Sequence, residues 1–176
     1  MKAQVVEQVT VAQAKTAIAQ TAALYFAKDA NGRYRIDRRR ARPVCLMGPE
    51  VVRQVAEEQG LAFLSYSVTH HTRQSAIGLP RLSECEVDGR TVPITEYTMS
   101  EIIAEVYRVM RESGKKEGIL FLDEFNCESE TLRPIMLQLL QSKTFGPHTI
   151  PDGWMLVLAG NPSEYNVSAR ALDAVT

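Results

Sequence analysis

An α/β fold, a three-layer αβα sandwich with a mainly parallel central sheet, is predicted by three features of this sequence. Short apolar runs at 43–47, 61–68, 119–122 and 155–159 have strand length and little polar alternation, as strands covered on both faces do. Segments of helical periodicity separate them, which implies parallel strands joined by crossover helices. Apolar residues make up 45% of the 176, enough to bury the core of one compact domain.

The first element reads as a helix. Val11, Ala14, Ile18, Thr21, Ala22 and Tyr25 recur at helical spacing, and Thr10 is available as its cap. Asp29 to Gly32 is a polar turn, followed by the basic run Arg38 to Arg42. Pro43-Val44-Cys45-Leu46-Met47 is a strand closed by Gly48-Pro49. Glu50 to Gln59 is helical, with Gly60 placed to end it, and Leu61 to Val68 is a second strand. Thr72 to Tyr97 reads as irregular, apart from a hairpin signal at Asp88-Gly89 between Cys85-Glu86-Val87 and Thr91-Val92. A helix follows, with Thr98 and Glu101 at capping-box spacing, Ile102, Val106, Val109 and Met110 on one face, and Gly114 at its end. Ile119 to Leu122 and Met155 to Ala159 are the third and fourth strands. Ser129 to Gln141 between them is helical, and Pro134 must sit in its first turns or kink it. No internal repeat, low-complexity tract or linker interrupts the chain, so one domain is expected over 1–176, with 1–40 as an N-terminal helix and basic linker packed on the core.

The net charge of -1 argues against a strongly basic nucleic-acid or membrane surface, although Arg38, Arg39, Arg40 and Arg42 form a local patch. Cys45, Cys85 and Cys127 lack paired spacing, which suggests neither a zinc site nor a disulfide framework and fits a reducing cytosol. No charged-then-apolar leader opens the chain, so a soluble cytoplasmic protein is expected.

The strongest chemical signal is Ile119-Leu120-Phe121-Leu122-Asp123-Glu124. In a parallel sheet the carboxyl ends of strands border the ligand crevice. A carboxylate there can hold magnesium through water, the role open to Asp123, and a second can orient an attacking water, the role open to Glu124. The same run also reads as a buried strand closing in an acidic turn. The second signal is Met155-Leu156-Val157-Leu158-Ala159-Gly160-Asn161-Pro162: the Asn161 amide at a strand tip could bond a terminal phosphate or the attacking water, while Gly-Asn-Pro is also plain turn chemistry.

Taken together, strand then Asp-Glu, a helix, a hairpin-like segment with Gly153-Trp154, and strand then Asn resemble the AAA+ ATPase core, a P-loop NTPase-like fold, from its Walker B motif to sensor 1. The finer resemblance, in Gly118-Ile119-Leu120-Phe121-Leu122-Asp123-Glu124-Phe125-Asn126 and Ala159-Gly160-Asn161-Pro162-Ser163-Glu164-Tyr165, is to the MoxR-like branch, related to the dynein-like group. It implies Walker B roles for Asp123 and Glu124, a sensor 1 role for Asn161, ATP and magnesium as cofactors, a homo-oligomeric ring of six, and a protein client such as one with a von Willebrand factor A domain.

Two departures from that pattern stand out. After Leu46-Met47-Gly48-Pro49 such a protein continues through a glycine-rich loop to Lys and Thr or Ser, whose N–H groups and lysine hold the phosphates. Here Pro49 runs straight into Glu50-Val51-Val52, roughly six residues short of the usual motif. Gly48, Pro49 and Glu50 are therefore the residues left to flank the cofactor. A strand does not enter a helix across the sheet so abruptly. The expectation is an omitted mobile loop, with Pro49 and Glu50 further apart than the about 3.8 Å of consecutive α-carbons. A direct peptide link would instead favour a nucleotide-free interaction protein on the same fold. The second departure is the end: the resemblance implies an arginine-finger segment and a small helical lid after Thr176, and Arg170 is either a substitute for the finger or a solvated arginine. A nucleic-acid motor on the same fold is a third reading, against which the charge counts.

Weaker candidates have plain alternatives. His70-His71 sits where a polar sensor could lie or is a surface turn. His148 reads as a loop residue with no metal-partner spacing. Arg38 to Arg42 borders an adenine pocket, binds acidic partners, or is a solvated face. The Asp88-Gly89 hairpin resembles insertions that line the central pore in this branch, and is equally a plain surface hairpin.

Overall fold

The computed structural model describes residues 9–37, 43–46, 51–70, 72–127 and 131–160. Helix α1 (Val11–Tyr25) begins with a reciprocal cap: Thr10 Oγ1 accepts from the Gln13 amide at 3.2 Å, and Gln13 Oε1 accepts from the Thr10 amide at 2.8 Å. Its buried stripe is Ile18, Ala22 and Tyr25; Val11, in the first turn, is exposed. A turn then folds on Asp29, whose Oδ1 accepts from the amides of Asn31 and Arg33.

Strands β1 (Val44–Leu46) and β2 (Ala62–Ser67) flank helix α2 (Val51–Glu58) in sequence, and Gly60 turns the chain out of that helix at φ +66°. The segment read as irregular is in fact ordered. It holds a short helix, α3 (Arg73–Ile77), capped by Thr72 and Ser75, and an antiparallel ribbon of strands β3 (Pro80–Val87) and β4 (Arg90–Tyr97), eight residues each. Asp88 and Gly89 both have positive φ (50° and 72°), the requirement of a tight two-residue hairpin turn. The ribbon escaped notice beyond its tip because it is mostly exposed: period-2 burial on β4 is limited to half-buried Val92 and Ile94, and Leu82 on β3 is 81% exposed.

Helix α4 (Glu101–Ser113) starts at an N-cap Ser100 with no side-chain bond, not with the Thr98–Glu101 box. Thr98 is engaged elsewhere: its hydroxyl accepts from the Leu79 amide and its own amide donates to the Leu79 carbonyl, both at 2.9 Å, closing the ribbon's base. Gly114 ends α4 in the left-handed region as expected. Strand β5 (Gly118–Asp123) follows, then a 3-10 turn at Phe125–Cys127 and helix α5 (Arg133–Ser142), with Pro134 in its first turn. A two-residue ribbon, β6 (Thr144–Phe145) with β7 (His148–Thr149), leads to β8 (Trp154–Ala159).

The central sheet has the order β1-β8-β5-β2, and every pairing is parallel. Period-2 alternation divides its side chains between two cores. Leu120, Leu122, Trp154, Leu156 and Leu158 pack with residues of α4 and α5 on one face, and Ile119, Phe121, Met155, Val157 and Ala159 pack with residues of α1 and α2 on the other. Helices therefore cover both faces of the sheet, which is why β5 up to Leu122 and all of β8 carry no polar side chain. No described helix is long and apolar enough to cross a membrane.

Candidate functional site

The carboxyl ends of the strands line up along one edge of the sheet. Leu46 pairs with Ala159, Leu122 with Leu158, and Ser67 with Asp123, so Asp123 stands level with Ala159 on the strand beside it. The two strands bearing the strongest chemical signals are neighbours, and β8 lies between β5 and the strand that leads to Gly48-Pro49.

At the tip of β5, Asp123 is half-buried and its Oδ1 accepts the Glu124 amide at 2.8 Å. Glu124 is one of three described non-glycine residues with positive φ, at 55°. That conformation costs about 1 kcal/mol or more for a residue with a Cβ, and such strain concentrates at functional sites. The turn directs the Glu124 side chain toward β2. There Oε2 accepts from Ser67 Oγ at 2.9 Å and from Thr69 Oγ1 at 2.7 Å, and the two hydroxyl oxygens are 3.0 Å apart. The Glu124 carboxylate is thus held on the side of β5 away from β8.

Behind the turn, the Asn126 side chain is 6% exposed and packs against Gly160, the residue that follows β8. A Cβ at Gly160 would lie 2.8 Å from Asn126 Oδ1 and 3.1 Å from its Cγ, so a side chain there would have to displace the Asn126 amide.

Asp123 and Glu124 both stand at the carboxyl end of β5. Gly48, Pro49, Glu50 and Asn161 lie outside the described residues, as do Arg38 to Arg42, His71 and Arg170, and so does the expected separation of Pro49 from Glu50. His70 ends a 3-10 turn (Val68–His70) after β2. His148 belongs to β7, where its Nε2 is 3.3 Å from the Tyr97 carbonyl at the foot of the β3–β4 ribbon. Among the described residues no group of three or more His, Cys, Asp or Glu could hold a metal ion. Ser67, Thr69, Asn126 and Gly160 were not singled out as site residues. Asn126 and Gly160 stand inside the two telling tracts, whereas the hydroxyls become relevant only once β2 is known to pair with β5.

The opposite edge of the sheet is charged but internally satisfied. Lys28 Nζ lies 2.7 Å from Glu117, which also accepts from Tyr34 Oη at 2.7 Å, and Lys115 Nζ donates to the Leu61 carbonyl at 3.1 Å. The most perturbed cation is also there. Lys143 is 4% exposed, lies 4.4 Å from the centre of the Tyr25 ring, and reaches the Trp154 carbonyl at 3.4 Å; burial lowers its pKa to about 8, against a smaller upward pull from Asp152. Being at the amino end of β8, it is remote from the Asp123–Glu124 tip. No family model matches this chain, and no curated protein matches it.

Proposed function

We propose that this protein is a MoxR-like AAA+ ATPase that uses magnesium-ATP hydrolysis to remodel a protein partner. The observation that carries the reading is the alignment of three adjacent strand ends. Chain leaving β1 toward Gly48-Pro49, chain leaving β8 toward Asn161, and the Asp123-Glu124 turn on β5 all issue from one edge of a parallel sheet, where phosphoryl-transfer groups must converge. In this scheme Asp123 orients hydrated magnesium, Glu124 polarises the attacking water after leaving its hydroxyl anchors, and Asn161 contacts the terminal phosphate. Gly48, Pro49 and Glu50 flank the phosphate-binding segment. A hexameric ring would set a neighbour's arginine against each site, and a client with a von Willebrand factor A domain fits the same branch.

ATP turnover and binding test the reading directly. Glu124→Gln keeps the side-chain volume but removes the charged base, so turnover falls by ~10²–10⁴ while ATP binding persists. Asp123→Ala instead weakens magnesium-dependent binding in a titration. Undiminished turnover in the Gln variant would make Glu124 a structural residue. A second reading, a nucleotide-free interaction protein on the same fold, is favoured by the lack of Lys and Ser or Thr after Gly48-Pro49; absence of ATP binding by the wild-type chain would select it.

A further inference from the structure

Asn126 is a buried amide where a leucine would fill a similar volume without the cost of desolvating a polar group, which points to a directional role. It belongs to the 3-10 turn that continues directly from Glu124, and it abuts Gly160, one residue before Asn161. A Cβ built at Gly160 would meet Asn126 Oδ1 at 2.8 Å, so the Asn126 side chain lies directly against the Gly160 backbone and links the two strand tips.

We propose that Asn126 is a positioning residue whose amide, seated on Gly160, sets the spacing between the Glu124 turn on β5 and the carboxyl end of β8 at Gly160. The inference rests on the reading of Glu124 and Asn161 as the polar pair of an ATPase site. The contact itself joins two described segments whatever their chemistry. Misplacement of reacting groups by about 1 Å costs up to about 10²-fold in rate, so a spacer of this kind acts on turnover more than on nucleotide binding.

The test uses the full chain and four variants. Gly160→Ala lowers the Tm by roughly 3–8 °C, because the added methyl meets the Asn126 amide. In the Asn126→Ala background the same change costs much less, and Asn126→Ala alone moves the backbone amide resonances of both Glu124 and Gly160. Additive Tm shifts, or resonance changes confined to the sequence neighbours of residue 126, overturn the proposal. Asn126→Leu, which matches the volume, lowers kcat roughly 10- to 100-fold with KM for magnesium-ATP unchanged; wild-type kcat in this variant would show that the amide has no positioning role. If the wild-type chain does not turn over ATP, the functional reading fails by itself, and the Tm cycle and the amide shifts still decide whether Asn126 ties the two tips together.

Discussion

At the scale of single residues, Glu124 combines a left-handed backbone at φ +55° with a carboxylate anchored by two hydroxyls, Ser67 at the end of β2 and Thr69 in the 3-10 turn after it. The anchors offset part of the backbone strain and hold the side chain in one pose. Hydrogen bonds to a charged group contribute about 1.5–3 kcal/mol when well shielded, and the exposure of Thr69 brings its share toward about 1 kcal/mol. A double-mutant cycle of Thr69→Val with Glu124→Ala, measured by urea unfolding, should therefore return a coupling of about 1 kcal/mol. Zero coupling would mean that the 2.7 Å contact contributes nothing to the fold. Neither Ser67 nor Thr69 could be read as part of a site from the sequence. Their relevance depends on the one-to-one register of β2 with β5, a tertiary fact that no local pattern encodes.

At the scale of elements, local chemistry was most readable where it agreed with burial. The cap at Thr10 was readable from side-chain chemistry alone, since it is exposed. Its side chain satisfies an otherwise orphaned amide of α1, and Thr10→Ala should lower stability by about 1 kcal/mol in chemical denaturation. A change below about 0.3 kcal/mol would show that the start of α1 is frayed in solution. The four central strands were legible because β5 and β8 are buried on both faces and so read as unbroken apolar runs. The β3–β4 ribbon was legible only at its turn, since exposed strands need no alternation. Thr98 shows the opposite failure: its spacing to Glu101 suits a cap, but the Leu79 backbone competes for the same hydroxyl and wins. At the candidate site, the positions of Asp123 and Glu124 were readable from the strand they terminate, while the contact of Asn126 with Gly160 depends on two segments meeting in space.

At the scale of the whole molecule, the buried amine of Lys143 links stability to pH. Its pKa is 10.5 in an exposed lysine and about 8 here, so between those values the unfolded chain binds more protons than the folded one. Stability should therefore rise with pH across that window and be fully penalised below about 8. The gain from pH 7.5 to 9.5 is about 2 kcal/mol. Tyr66, pushed up by burial with a smaller contribution from Glu101, ionises first in the unfolded chain and so works in the opposite sense as pH nears 10, equally in wild type and in a Lys143 variant. Unfolding titrations of wild type and Lys143→Met at the two pH values provide the check. The variant should lack the rise, and an equal rise in both proteins would assign it to other groups.

The ribbon between α3 and α4 carries a consequence for how this chain tolerates change. Leu79 and Thr98 are bonded to each other through both backbone and side chain, so the 18 residues from Pro80 to Tyr97 leave and re-enter the domain at adjacent points. The entropy of closing that excursion is already met at its root. Doubling its length would add only about 0.6 kcal/mol. Longer arms, shorter arms or a foreign peptide could be grafted there while the two cores stay as they are, which makes Leu79–Thr98 a natural seam between a constant body and a variable appendage.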